Sequence, residues 1–238
     1  MTRRFAGRRP IRLSDTDASG RLRLDAIARY LQDVASDDWE DAGLASPESL
    51  WVVRRTDLRV ETPFGDDDGV VELETWCSGI ARTAASRRYT LRGGAGGLVE
   101  AESLWIHLGA DLRPKPLGEG FLAVYGASAA DRRPVTQLSL SREVNGGGQG
   151  HPWRIRATDI DRLGHVNNAA YWAPLEEAWQ GRLAGRFACL LEYRSPIDLG
   201  ETVELVVDGD LAWLVVEGEV RSAARLDPER ASESEQLA

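Results

Sequence analysis

"TDIDRLGHVNNAAYW", residues Thr158 to Trp172, places two aspartates, one of the chain's three histidines and a pair of asparagines just ahead of a helical apolar pattern. Asp and Asn favour turns and helix N-termini because their short side chains accept hydrogen bonds from nearby backbone N–H groups. A carboxylate beside an imidazole is also the equipment of acid–base chemistry. The stretch decides the fold because it occurs twice. Asp15-x-Asp17-x-x-Gly20 precedes an earlier helical pattern as Asp159-x-Asp161-x-x-Gly164 precedes this one, and "VVELETW" (70–76) has a counterpart in "TVELVVD" (202–208).

Working outward, Ile27, Leu31, Val34 and Ala35 recur at helical spacing, with Gly43 as a C-terminal stop; a basic lead-in and a short strand at "IRLS" (11–14) stand before them. "LWVVRRTDLRVETP", "GVVELETWCSGI", "ASRRYTLRG" and "LVEAESLWIHLG" read as antiparallel strands separated by turn residues. The stretch from Ala127 to Gly150, ending in "NGGGQG", reads as a linker. The order then restarts: strand and turn at "WRIRATDIDRLGHVN", a helix from about Asn168 in which Pro174 predicts a kink, then strands in "FACLLEYRSPID", "ETVELVVDGD" and "LAWLVVEGEVRSAARL". The plan is α+β: an N-terminal unit over 1–130, a linker over 131–150, a C-terminal unit over 151–226 and a disordered tail over 227–238.

Composition sets limits. The chain has 238 residues and no apolar run approaching a membrane span, and its basic N-terminus lacks an apolar signal core, so no membrane association is expected and the cytoplasm is the expected compartment. Two cysteines, Cys77 and Cys189, are too few for a disulfide framework, and no Cys/His grouping has zinc-like spacing, so no metal is expected. A net charge of -9 argues against nucleic acid, whose binding rests on neutralising phosphates.

The residues carry a family resemblance. "DIDRLGHVNNAAYW" resembles the hotdog thioesterase pattern Asp-x-x-Gly-His-Val-Asn-Asn-x-x-Tyr, and from about Arg12 to Leu226 the chain is similar to the acyl-acyl-carrier-protein (acyl-ACP) thioesterases. "YLQDVA" resembles that family's "LLQEVG" helix, "VELETWC" its "VEIETWC" strand, and Leu191 to Arg194 its "LEYR". The resemblance implies two tandem hotdog units, each an antiparallel sheet wrapped around a helix, packed pseudo-symmetrically. It implies a thioesterase that releases free fatty acid from acyl-ACP or acyl-CoA in fatty acid biosynthesis. No cofactor is implied, and a homodimer is compatible with it. The family's catalytic stretch reads Asp-x-Asn-x-His where this chain has Leu163 in place of the Asn, and Pro196 and Ile197 stand where Glu-Cys is common.

Thioester hydrolysis needs a group that activates water or attacks the carbonyl, and donors for the oxyanion. The catalytic candidates are Asp161, as base, nucleophile or orienter, and His165, as proton carrier; Gly164, Asn167 and Asn168 are the substrate-binding candidates. Asp159 and Asp17 read as turn residues, Cys77 and Cys189 as core, His107 and His151 as ordinary polar residues. One of Glu176 and Glu177 is a candidate to face the site, though an exposed or capping position is the commoner fate of such glutamates. An acidic carrier would need the pairs Arg54-Arg55, Arg87-Arg88 and Arg132-Arg133 to supply a docking face. Two other readings remain open: an acyl-binding protein without turnover, suggested by the missing Asn, Glu and Cys, and, ranked last, a hotdog hydratase.

Overall fold

The computed structural model of the chain describes residues 2–44, 50–144 and 148–228. In chain order the elements are β1 (Phe5–Pro10), α1 (Leu24–Asp41), β2 (Leu50–Thr62), β3 (Val70–Ile80), β4 (Ala84–Arg92), β5 (Leu98–Leu108) and α2 (Glu119–Ala129). The second half follows with β6 (Gln149–Trp153), α3 (Trp172–Ala178), β7 (Phe187–Tyr193), β8 (Val203–Asp208), β9 (Leu211–Val216) and β10 (Glu219–Asp227).

All strand pairs are antiparallel and run β1-β3-β4-β5-β2-β7-β10-β9-β8-β6 in one ten-stranded sheet. Read inward from its two edges, the sheet has one order twice: β1-β3-β4-β5-β2 matches β6-β8-β9-β10-β7. The repeat seen in the sequence is therefore a pair of hotdog units joined edge to edge at β2 and β7, where Leu58 stands opposite Cys189. The two helices meet across this seam. From α1, Leu24, Ile27, Leu31 and Val34 enter a core shared with Trp172, Leu175 and Trp179 of the second half, and each such side chain contributes about 1.5–3 kcal/mol on burial.

Four local expectations change. The basic lead-in is itself a strand: β1 alternates half-buried and exposed positions at the sheet edge, and Arg4 and Arg8 reach Glu74 and Glu72 of β3. Pro174 does not kink α3, because it falls in the first turn, where its missing N–H has no helical partner to lose. "LAWLVVEGEVRSAARL" divides into β9 and β10, since Glu217 (φ 51°) and Gly218 (φ 80°) both adopt the positive φ of a tight hairpin turn. Helix α2, absent from the sequence reading, closes over Trp39 and Trp51 with Phe121 and Tyr125, the Trp39 and Tyr125 rings lying parallel with centroids 6.4 Å apart.

The segment after α2 does not hang free. The fully buried Glu192 of β7 accepts hydrogen bonds from Ser139 N (2.6 Å), Ser139 Oγ (3.0 Å) and Leu140 N (3.1 Å), and Leu140 and Val144 cover the outer face of the second sheet half. Residues 145–147 of the expected linker, and the expected tail from 229 onward, lie outside the described residues.

Candidate active site

Each helix is fed by the same hairpin. Asp15 Oδ2 accepts from Arg12 N at 3.0 Å, and Asp159 Oδ2 from Arg156 N at 2.8 Å, so both first aspartates close a short 3-10 turn. Asp17 N donates to Arg21 O (2.8 Å) and Gly20 N to Asp17 O (3.0 Å); Asp161 N donates to His165 O (2.9 Å) and Gly164 N to Asp161 O (3.0 Å). Gly20 and Gly164 share a φ of 84° and 85°, in the left-handed region where a side chain is disfavoured. The match fixes a residue-by-residue correspondence between halves: Arg21 with His165, Leu24 with Asn168, Gln32 with Glu176.

Within this frame the two catalytic candidates do different things. Asp161 Oδ1 accepts from Leu163 N at 2.8 Å, holding the turn, and no hydrogen bond joins the Asp161 and His165 side chains. His165 Nδ1 instead meets Asp198 Oδ1 at 2.5 Å, and the two residues form a backbone bridge. Asp198 is fixed in turn by its N–H on Glu201 Oε2 (2.7 Å), while the neighbouring Ile197 N donates to Tyr171 Oη (3.1 Å). Ile197 is wholly buried in the core, so the acid facing His165 comes one position after the Pro196-Ile197 pair. Sequence reasoning did not find Asp198; the signal was an acid directly following the "LEYR" strand and its turn.

The three binding candidates separate. Asn167 lines a cleft of about 740 Å³ between the two hairpins and α3, together with Arg21, Arg23, Asp159, Glu176 and Glu177. Its Oδ1 accepts from Ala169 N at 2.9 Å. Asn168 lines a second, inner space of about 30 Å³ between α1, the first half's sheet and the start of the second helical segment; Ala169 borders both spaces. Gly164 serves the turn and lines neither.

Glu176 faces the cleft but acts as a cap. Its Oε2 accepts from Leu24 N at 2.8 Å, satisfying a free N–H at the start of α1, and its Oε1 pairs with Arg21. Asp17 sits beside it: burial pushes its carboxyl up, but hydrogen bonds from Ser19 and Arg21 and the Arg21 charge outweigh this and hold it below its ordinary value. Both thiols are core groups. Burial raises Cys77 to about 11 and Cys189 well above its ordinary range, which leaves neither available as a thiolate near neutral pH. Among the described residues no three His, Cys, Asp or Glu side chains converge as a metal site requires.

Most members of the arginine pairs have partners within the chain. Arg87 is buried against Asp38, Arg88 pairs with Glu102, and Arg54 and Arg132 donate to the backbone oxygens of Arg194 and Ser78. Arg55 reaches Gln137 O, which leaves Arg133 as the exposed member without such a partner. Arg154, Arg156 and Arg162 are exposed, flank the second hairpin in sequence and make no ion pair among the described residues.

Comparison with known proteins gives consistent matches. Residues 3–123 match the model of the acyl-ACP thioesterase N-terminal domain, and residues 145–234 that of the C-terminal domain. An uncharacterized protein of Mycobacterium tuberculosis strain H37Rv is 34% identical over 220 residues, covering 90% of this chain and 87% of its own. Among solved structures, a putative oleoyl thioesterase from Lactobacillus plantarum superposes with a TM-score of 0.78 at 18% identity, over 94% of this chain and 95% of that one. A 12:0-ACP thioesterase from Umbellularia californica superposes with a TM-score of 0.76 at 20% identity, over 94% and 96%. At such identities these two likenesses speak to the fold.

Proposed function

The chain belongs to the acyl-ACP thioesterase family of thioester hydrolases, and on that premise we propose that it releases fatty acids from acyl carrier protein in cytoplasmic fatty acid biosynthesis, using His165 and Asp161. The observation that carries this reading is the 2.5 Å contact between His165 Nδ1 and Asp198 on the hairpin that leads into α3. A carboxylate on Nδ1 holds the imidazole in one orientation and leaves Nε2 as the proton acceptor. His165 takes a proton from water as the oxygen attacks the thioester carbonyl; the C–S bond then breaks, and the same proton passes to the departing thiolate. The products are a free acid and a thiol, so atoms and charge balance without a cofactor. Asp161 shapes the hairpin through Oδ1, while Oδ2, without a hydrogen bond among the described residues, is the oxygen available to the water or carbonyl.

Carrier protein is preferred over coenzyme A on the family membership, and Arg154, Arg156 and Arg162, exposed beside the second hairpin, offer positive charge to an acidic partner. Turnover of acyl-ACP then falls with added salt more steeply than turnover of acyl-CoA. Binding without hydrolysis is the second reading, favoured by Leu163, which is 50% exposed in the turn and offers no polar group, and by the core position of Ile197. The deciding experiment is thiol release from a panel of acyl-ACP and acyl-CoA thioesters. Hydrolysis by the wild type that is lost in Asp161→Ala and His165→Ala supports the assignment; tight binding with no thiol released supports the alternative.

A further inference from the structure

The correspondence between halves puts Gln32 of α1 in the place that Glu176 of α3 holds across the seam. At the first of the two matched positions the arrangement is closed. Glu176 accepts the Leu24 N–H and takes the Arg21 charge, so both of its carboxylate oxygens are engaged within the chain. At the second position the matching backbone is that of Asn168, the matching side chain is Gln32, and between them lies the inner space of about 30 Å³. The Gln32 carboxamide makes no hydrogen bond among the described residues. Trp105 Nε1 and the Tyr89 hydroxyl line the same space, and Trp105 and Ser103 both act on that hydroxyl as hydrogen-bond partners. Thr56 and Ser103, bonded to each other at 3.0 Å, add hydroxyls to the wall.

A carboxamide with no partner in the protein is met by water or by a ligand. A space of this size accommodates about one water or one oxygen-bearing group. We propose that Gln32 is a catalytic residue, donating its carboxamide N–H to the thioester carbonyl oxygen as it enters this space, and that Glu176 is the closed counterpart of the same position. The proposal rests on the thioesterase reading above. In the addition step water oxygen bonds to the carbonyl carbon, the carbonyl π electrons move to oxygen, and the resulting oxyanion accepts from Gln32 Nε2. When the C–S bond breaks the electrons return, and the hydrogen bond relaxes to that of a neutral acid.

The test uses Gln32→Leu, which keeps bulk and removes the donor, and Gln32→Glu, which reproduces the Glu176 arrangement. With dodecanoyl-ACP as substrate, Gln32→Leu is expected to lower kcat on the order of 100-fold with little change in KM, as loss of one oxyanion donor does elsewhere. Gln32→Glu is expected to lose turnover with no loss of thermal stability, because the carboxylate closes on the Asn168 backbone as Glu176 closes on Leu24. Wild-type kcat in both variants overturns the proposal. If the wild type itself releases no thiol, the hydrolytic reading fails separately, and binding of a dodecanoyl-pantetheine thioether ketone then decides. In that case, tenfold weaker binding by Gln32→Leu supports Gln32 as the carbonyl contact, and equal binding overturns it.

Discussion

Asp38 offers the sharpest test of what holds the first half together. Its side chain, in a residue 1% exposed, accepts from Arg3 Nε at 2.7 Å, from an Arg87 terminal nitrogen at 2.6 Å and from Tyr125 Oη at 2.8 Å, linking α1 to the N-terminal strand, β4 and α2. Asp38→Ala leaves these partners in unequal positions. Arg3, with 23% of its side chain exposed, keeps Asp41 at 2.7 Å and reaches water, so its share of the loss is small. Arg87, 11% exposed, keeps Thr75 Oγ1 at 3.3 Å and the face of the Tyr125 ring at 5.4 Å. Removing one partner of a buried ion pair costs about 3–5 kcal/mol, because the other charge remains desolvated. The Tyr125 hydroxyl, left with only the long 3.5 Å bond to the residue 38 carbonyl, adds about 1 kcal/mol at most. The total consumes much of the roughly 5–15 kcal/mol that stabilises a domain. Urea unfolding followed by circular dichroism measures it. Asp38→Ala combined with Arg87→Met should recover part of the loss, since the buried charge goes too. A loss below about 1 kcal/mol for Asp38→Ala, or no recovery in the double variant, refutes this account.

The remaining expectations concern the site and acid stability. His165→Ala should lower kcat about 100-fold or more, and Asp198→Asn should lower it less; an unchanged kcat in Asp198→Asn removes Asp198 from the mechanism. Leu163→Asn should raise turnover without loss of stability, because residue 163 is half exposed and its turn bond uses only its backbone N–H; steady-state kinetics with acyl-ACP reads this directly. Asp17 and Asp25 are held below their ordinary values, their burial being outweighed by Ser19 and Arg21 for the first and by Arg23 and Arg29 for the second. A carboxylate depressed in the folded state contributes stability that is present above the unfolded value near 3.9 and lost as pH falls through the folded one. Thermal unfolding temperature should accordingly be flat with respect to these groups above about pH 5 and drop below about pH 4, with a smaller drop in Asp25→Asn.

The duplication was legible because turn chemistry is local. An Asp two residues before another and a Gly three beyond dictate the same hairpin wherever they occur, and both copies formed it. Helix α2 was not legible: "EGFLAVYGASA" is apolar on every side with two internal glycines, and it is a helix because Trp39 and Trp51 cover it. Strand β1 was hidden by its arginines, whose alternate exposure appears only once β3 supplies the glutamates. Asp161 and His165 were visible as residue types, but the partner of His165 was not. Asp198 lies 33 residues away, and only the antiparallel return of the chain beside the hairpin brings it to the imidazole. Gln32 was visible only as the glutamine of "YLQDVA"; its correspondence with Glu176 needed the geometry.

The two halves share a backbone and differ in what their matched side chains do with charge. In the first half Arg21 and Glu176 neutralise each other, Glu176 also capping α1, and a guanidinium cannot give up its proton in a protein. That arrangement is a strut. In the second half the matched residues are His165 and Gln32, which do not bond to each other; the imidazole is turned to Asp198, and the half-buried carboxamide makes no hydrogen bond among the described residues where it lines the small space beside Asn168. An imidazole exchanges protons near neutral pH and an amide donates without titrating, so this pair can serve a reaction in which charge appears and disappears on an oxygen. Once the strut at one end of the seam fixes α1 against α3, the other end is freed from a structural role. A chain with Glu at both positions would be the more tightly tied molecule and would have nowhere to place a carbonyl.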